Sequence, residues 1–399
     1  MDFKLDPGLE EFRQMVCAAI HEDLPLDMAA RQQGFGGLQS EHSDQLAWTR
    51  ILDKRHWSVP HWPLEHGGQP WTALQQFVFQ NEMCGAWAPD TNWGATHMVG
   101  PVIYTFGSDR LKERFLPPIR KGEYFWAQGF SEPGNGSDLA NLRTSAIVKG
   151  DRYIVNGQKI WTSGAHASEW GFFLVRTDPT AKPQRGISFL LVHLKSPGIT
   201  IRRIPEINTE ADLCEVFLDN VEVPNDQLVG EPGMGWTYAK FLLQQERTQS
   251  SFIYWNKREL ARAELIARSE NWDGTSLSEL PQFATRIARL RAEVIALEWS
   301  VLRILAQETF SYDLTAVASA LKISGSRLQQ SITELEVDLL AAKSMRQFPI
   351  ELAHRTPESL WPDYVAGRTA SALGNRAATI FGGTLQVQKN IIAKLAFGL

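Results

Sequence analysis

Cysteine is scarce: the 399 residues hold three, Cys17, Cys84 and Cys214, far apart and without a Cys-x-x-Cys pair. That excludes a disulfide framework and a thiolate metal site, and it suits a reducing compartment. A lysine/arginine block is also missing. The 40 basic and 45 acidic residues leave a formal charge of −5 and a pI near 6, which argues against nucleic acid or an anionic membrane as the main partner. No run approaches the roughly 18 uninterrupted apolar residues of a membrane helix. The opening Met1-Asp-Phe-Lys-Leu-Asp-Pro7 has neither the basic nor the apolar region of a signal peptide. His166 and His193 show no ligand spacing, so no metal site is expected. Together these absences predict a cytoplasmic protein.

What is present divides the chain into three stretches, as a length of two to three domains would allow. Up to about Gly122 the pattern is helical. Leu9, Phe12, Val16 and Ile20 recur at three- and four-residue spacing behind the start signal Asp6-Pro7, and a charged helix near 109–116 is expected to end at Pro117-Pro118. The middle is rich in β-branched and aromatic residues in short runs, at 144–148, 152–155, 170–176, 187–193, 199–204 and 216–223. Lys149-Gly-Asp, Asn156-Gly and Ser196-Pro-Gly punctuate it. Strands at this spacing imply an antiparallel barrel or sandwich. After Gly235 the helical period returns, in stripes over 236–269, 282–309, 314–342 and 367–399, with a polar loop at 271–281.

The densest chemical signal is Phe130-Ser-Glu-Pro-Gly-Asn-Gly-Ser-Asp138. Its glycines and proline fix an irregular backbone whose N–H groups can face a ligand, and Ser131, Ser137 and Asp138 add side-chain partners. Shortly after comes Asn156-Gly-Gln-Lys-Ile-Trp-Thr-Ser-Gly164, where a hairpin turn is expected to deliver Trp161 beside the hydroxyls of Thr162 and Ser163. Near the C-terminus stands Phe381-Gly-Gly-Thr-Leu-Gln-Val-Gln-Lys-Asn-Ile-Ile392, in which the glycines break one helix and Thr384 caps the next. Each piece alone is explained by a turn, a core tryptophan or a helix corner.

The combination resembles the acyl-CoA dehydrogenase family over nearly the whole chain. It is most similar to the large (alpha) subunits of pimeloyl-CoA and steroid side-chain acyl-CoA dehydrogenases, which share wording such as Gly100-Pro-Val-Ile-Tyr-Thr-Phe-Gly107 and Lys389-Asn-Ile-Ile-Ala-Lys394. The resemblance implies an N-terminal helical domain (residues 1–124), a middle antiparallel β-barrel (125–231) and a C-terminal four-helix bundle for oligomerisation (232–399). It implies FAD as cofactor and dehydrogenation of an acyl-CoA thioester to the trans-2-enoyl-CoA. Gln128, Phe130 and Ser131 match positions that bind the isoalloxazine ring, largely through backbone groups. Trp161 and Ser163 match the flavin-packing tryptophan and the hydroxyl near N5, and Thr384 and Gln386 match contacts to the FAD phosphates and adenosine. Ser137 matches a position lining the acyl-CoA channel, and Arg247 an arginine near the CoA moiety.

The reaction needs a carboxylate base, worth roughly 10²–10⁴-fold. Many family members place a glutamate directly before Gly-Thr in the C-terminal motif, where this chain has Gly382. Others carry it on the first long helix after the barrel, before an arginine, and here that place reads Glu246-Arg247. Spacing from Leu242 and Leu243 puts Glu246 on the apolar stripe, so Glu246 is the expected base. A salt-bridged structural glutamate is the competing reading. His97 could line the acyl pocket, or be a satisfied core histidine.

Two segments that hold the FAD pyrophosphate of a neighbouring subunit in simple homotetramers of the family are absent here: 269–276 and 360–368 read differently. The resemblance therefore implies a smaller partner subunit in an α₂β₂ heterotetramer. A homo-oligomer in which Arg368 and Arg376 substitute is the alternative. An electron-transfer flavoprotein or similar acceptor would take the electrons. An acyl-CoA oxidase using O₂ and a non-catalytic FAD-binding structural subunit are the competing functions. The likeness to steroid and dicarboxylate enzymes favours a bulky or dicarboxylic acyl chain.

Overall fold

The computed structural model describes residues 6–34, 40–209, 211–245, 251–306, 313–345 and 362–399. The N-terminal layer is helical: α1 (Pro7–Asp23), α2 (Leu26–Gly34), α3 (His42–Lys54), α4 (Ala73–Gly85), a π-helical turn (Gly94–Val99) running into α5 (Gly100–Phe106), and α6 (Asp109–Arg120). Asp6 caps α1 by accepting from the Leu9 N–H at 3.0 Å. The stripe Leu9, Phe12, Val16 and Ile20 is buried against Trp48, Leu52 and Phe79. Helix α6 runs through Pro117-Pro118 to Arg120 rather than ending before them. Buried Leu116 and Ile119 anchor that last turn, and the carbonyls of Pro117 and Pro118 accept from Lys121 and Glu123.

The middle layer is one twisted sheet of β1 (Trp126–Gly129), β2 (Ser145–Lys149), β3 (Arg152–Lys159), β4 (Trp170–Arg176), β5 (Ile187–His193), β6 (Ile199–Arg203) and β7 (Cys214–Pro224). Pairing follows β1-β4-β2-β3-β7-β6 with β5 beside β4, and it is antiparallel except where β4 meets β1 and β2. Strands β4 and β5 are buried on both faces, which is why they are almost continuously apolar. Phe172, Leu174, Phe189 and Leu191 face the helices, while Phe173, Val175, Leu190 and Val192 fill the sheet's own core.

Asn156-Gly157 is not a turn. It lies inside β3 as a bulge, with the register against β7 shifting between Val155 and Gly157. A Cβ on Gly157 would press on Thr144, so glycine permits the approach. The turn of the β2–β3 hairpin is at Gly150-Asp151.

The C-terminal layer holds α7 (Gly235–Gln245), α8 (Ile253–Ser269), α9 (Pro281–Leu305), α10 (Leu314–Leu340), α11 (Arg368–Gly374) and α12 (Leu385–Phe397). Helices α8, α9 and α10 share one core built on Leu260, Ile266, Leu290, Val294, Leu328 and Leu335. The stretch 271–281 contains a two-stranded hairpin, β8 (Asn271–Trp272) with β9 (Thr275–Ser276).

Candidate functional site

The site grows from the end of β1. Asn92 Oδ1 accepts from the Trp126 N–H at 3.3 Å and the Ala95 N–H at 3.0 Å, fastening β1 to the π-helical turn. Beyond it, Gln128 is half-buried, and Phe130 is buried edge-on against Phe172 at 5.7 Å. Lys159, at the end of β3, is fully buried and donates to the Phe130 carbonyl at 3.1 Å and to Glu132 at 2.9 Å. Glu132 also accepts from the N–H groups of Arg143 (2.6 Å) and Thr144 (2.8 Å). The Ile160 N–H donates to the Ser131 carbonyl at 3.0 Å. The 130–132 loop and the 159–163 segment are thereby stitched together.

Burial pushes the Lys159 ammonium down to about 8, against the opposing pull of Glu132. Burial alone would raise Glu132, but Lys159 and the groups of Thr144 and Arg143 outweigh it and hold the carboxyl below its ordinary range. An ion pair this deep is costly to open, because removing one partner leaves a buried charge.

Trp161 emerges from this clamp in the left-handed region, φ +60°, and is 56% exposed. Such a conformation costs a non-glycine residue about 1–2 kcal/mol. Thr162 behind it is buried, exchanging backbone hydrogen bonds with Cys214, and its hydroxyl finds no partner. Ser163 is half-buried beside it. The fold thus brings Phe130 and Ser131 beside the segment that carries Trp161 and Ser163, with Gln128 two residues upstream of Phe130 on β1. Ser137 lies on the same loop and is exposed.

Other expected residues lie apart. Thr384 caps α12, accepting from the Val387 N–H at 3.2 Å, and Gln386 is exposed on that helix, which packs on α10. Glu246 and Arg247 lie outside the described residues. Gly382 has φ +61°, and a Cβ there would meet the Lys322 side chain only at 3.8 Å. Lys322 lies 4.8 Å from the rings of both Phe252 and Phe381. The chain six residues after Glu246 and the residue before Gly382 therefore meet at one lysine.

Arg368 is spoken for. It is buried, pairing with Glu259 at 3.2 Å and Glu336 at 3.6 Å, so it cannot present its guanidinium to a pyrophosphate. Arg376 pairs with Glu334 at 2.6 Å on the surface. His97 is buried and stacked between Trp93 and His61, each at 3.9 Å, with Nδ1 on the Thr96 hydroxyl and Nε2 without a partner. It borders a cavity of about 60 Å³ with His61, Gln76, Gln80 and Tyr254.

The Lys159–Glu132 clamp escaped the sequence reading. Its two residues lie in separate motifs 27 positions apart, and only the turn of the chain between β1 and β3 makes them partners.

Comparisons with known proteins identify the family of the chain. Three family matches tile the chain: acyl-CoA dehydrogenase, N-terminal domain, over residues 7–123; middle domain, over 127–221; and C-terminal domain, over 233–397. The chain is 33% identical to the acyl-CoA dehydrogenase IpdE1 of Mycobacterium tuberculosis, with 98% of each covered. It is similar to a solved structure of the ChsE4-ChsE5 complex from Mycobacterium tuberculosis, at 29% identity and TM-score 0.82, covering 100% of this chain and 99% of that one. It is also similar to the Tcur3481-Tcur3483 steroid ACAD, at 26% identity and TM-score 0.83 over 100% and 99%. Among the described residues no helix is long and apolar enough to cross a membrane.

Proposed function

The chain belongs to the acyl-CoA dehydrogenase family and is an oxidoreductase, and from that premise we propose that it oxidises the Cα–Cβ bond of a bulky, steroid-like or dicarboxylic acyl-CoA with FAD as acceptor. The observation that carries the reading is Trp161, an exposed aromatic plate in a strained conformation two residues after the buried, ion-paired Lys159. Strain of this kind persists where the surroundings over-determine it, and it clusters at ligand clamps.

The residues present fit a flavin ring. The carbonyls of Phe130 and Ser131 already accept from Lys159 and Ile160. What the loop and the neighbouring segment add toward a ligand is therefore N–H groups and the hydroxyls of Ser131 and Ser163, donors suited to the ring's acceptor edge, with Trp161 as its stacking face. Thr384 and Gln386 are assigned to the phosphates and adenosine, and Ser137 and Arg247 to the acyl-CoA. When bound, FAD supplies the acceptor for the β-hydrogen, leaving as hydride. Glu246 takes the α-proton, and the approach of Phe252 and Phe381 around Lys322 supports the two familial base positions lying near each other.

The division at residues 124/125 and 231/232, the cytoplasm as workplace and an electron-transfer flavoprotein as the next acceptor belong to the same reading. So does a smaller partner subunit. The Tcur3481-Tcur3483 steroid ACAD and the ChsE4-ChsE5 complex are each named as two components, which favours α₂β₂ over a homo-oligomer. An oxidase using O₂ or a non-catalytic FAD-binding subunit would be recognised by the same experiment. Glu246→Gln keeps volume and hydrogen bonding but removes the basic lone pair, so FAD and substrate still bind while flavin bleaching by acyl-CoA slows at least ~10²-fold. Rapid mixing reads this directly. Bleaching at nearly the wild-type rate overturns Glu246 as base, bleaching in neither protein supports the structural subunit, and fast reoxidation of the bleached enzyme by O₂ alone supports the oxidase.

A further inference from the structure

Three segments distant in sequence converge behind the Trp161 clamp. His42 is the first residue of α3, His166 sits in the 3-10 turn Ala165–Ala167, and Asp212 stands two residues before β7. One ring nitrogen of each histidine and a carboxylate oxygen of Asp212 lie within 4.8 Å of one another. His42 Nε2 is 3.0 Å from Asp212 Oδ1. The arrangement is built rather than incidental. Gly164 adopts φ +65°, and its N–H donates to the Asp212 carbonyl at 3.1 Å. A Cβ on Gly164 would stand 3.1 Å from His42 Nε2, so the absent side chain lets the imidazole approach. His166 Nδ1 lies 3.5 Å from the buried Cys214 thiol, which orients the second ring.

We propose that His42, His166 and Asp212 form a binding site for a divalent transition-metal ion, best suited to zinc, that ties the N-terminal helical layer to the strand-borne segment presenting Trp161. Two imidazoles and a carboxylate are borderline donors of the kind Zn²⁺ takes, and three protein ligands leave a fourth position for water. Zn–N and Zn–O bonds of about 2.0–2.2 Å at tetrahedral angles put ligand atoms roughly 3.4 Å apart. The His42–Asp212 separation is already in that range, and a side-chain rotation of the exposed His166 closes the remainder. The Arg203 Nε donates to the Ala211 carbonyl at 2.7 Å beside Asp212, and its positive charge opposes a bound cation. Ligand spacing along the sequence hides this trio because each donor comes from a different segment.

The test uses the purified full-length chain in the oligomer it forms, stripped with chelator and titrated with Zn²⁺ against a chromophoric indicator. The expected result is one Zn²⁺ per chain with a micromolar dissociation constant, a raised thermal midpoint, and no response to Mg²⁺. His166→Ala, at an exposed position, should keep the circular dichroism of the parent and weaken Zn²⁺ at least roughly tenfold, as should His42→Ala. No binding below about 100 μM overturns the site, as does binding in both variants as strong as in the parent.

Discussion

At the scale of single residues, the clamp behind Trp161 decides how the site stays formed. Lys159 and Glu132 are nine-tenths buried or more, and each satisfies the other. Glu132→Gln leaves the ammonium without its counter-charge, and breaking a buried pair in this way costs about 3–5 kcal/mol. The pH dependence has a definite sign. Glu132 has a folded pKa below its ordinary 4.5, so the stability it contributes is complete above about 4.5 and is lost as pH falls through the lowered value. Denaturant unfolding of wild type and Glu132→Gln should differ most near pH 7, and the difference should shrink below pH 4.5. A difference constant from pH 7 to pH 3 would show that the carboxylate is not charged in the fold. The same clamp lies two residues before Trp161 and is joined to it through the Ile160 N–H on the Ser131 carbonyl, so loss of flavin affinity should accompany loss of stability.

At the scale of elements, close approaches fix the helical layer. Gly325 in α10 lies directly under the Ser251 carbonyl, and a Cβ there would collide with that backbone. Asn256 Nδ2 reaches across to the Gly325 carbonyl at 3.1 Å. Gly325→Ala must therefore separate α8 from α10 at this crossing. Overpacking of this kind costs about 1–3 kcal/mol, and the cost should appear as a lowered apparent unfolding temperature with the helical signal otherwise intact. The sequence cannot signal such a residue, since a helical glycine reads only as a weak position.

Other elements were legible to different degrees for equally physical reasons. Strands β4 and β5 were readable end to end because burial on both faces makes them continuously apolar. Strand β1 went unread, because Trp126–Gly129 is too short for a period of two to show. Asn156-Gly157 imitated a turn while serving as a bulge. Trp236 to Ser269 reads as one apolar stripe, yet Phe252, at φ +54°, precedes a new helix at Ile253. In the site, glycine and serine spacing pointed to the Ser131 and Trp161 loops, whereas the pairing of Lys159 with Glu132 is invisible without the fold. Spacing likewise cannot reveal that the Arg368 guanidinium is enclosed by Glu259 and Glu336.

At the scale of the whole molecule, the last helix is the informative anomaly. Helix α12 has 13 residues, among them Leu385, Val387, Ile391, Ile392, Leu395 and Phe397, yet none of its residues is buried. An isolated helix of that length is marginal in water, and most helical stability comes from packing an apolar face. One face of α12 rests on α10, while Leu395 and Phe397 are exposed. Of the two arginines that could have served the FAD pyrophosphate within this chain, Arg368 is buried against Glu259, while Arg376 makes a surface pair with Glu334. Phosphate anions need donors, so the smaller subunit proposed above is predicted to cover α12 and to supply cations. Obligate contacts of this kind bury on the order of 2,000 Å² or more. Expressed alone, the chain should elute as an unstable or aggregating species that has lost most of its yellow colour. Co-expressed with the correct smaller subunit, it should run as an α₂β₂ assembly by light scattering, with one FAD per αβ pair by absorbance. Full FAD occupancy in a homo-oligomer of this chain alone would overturn the partner requirement, because the missing donors would then come from a second copy of the same sequence.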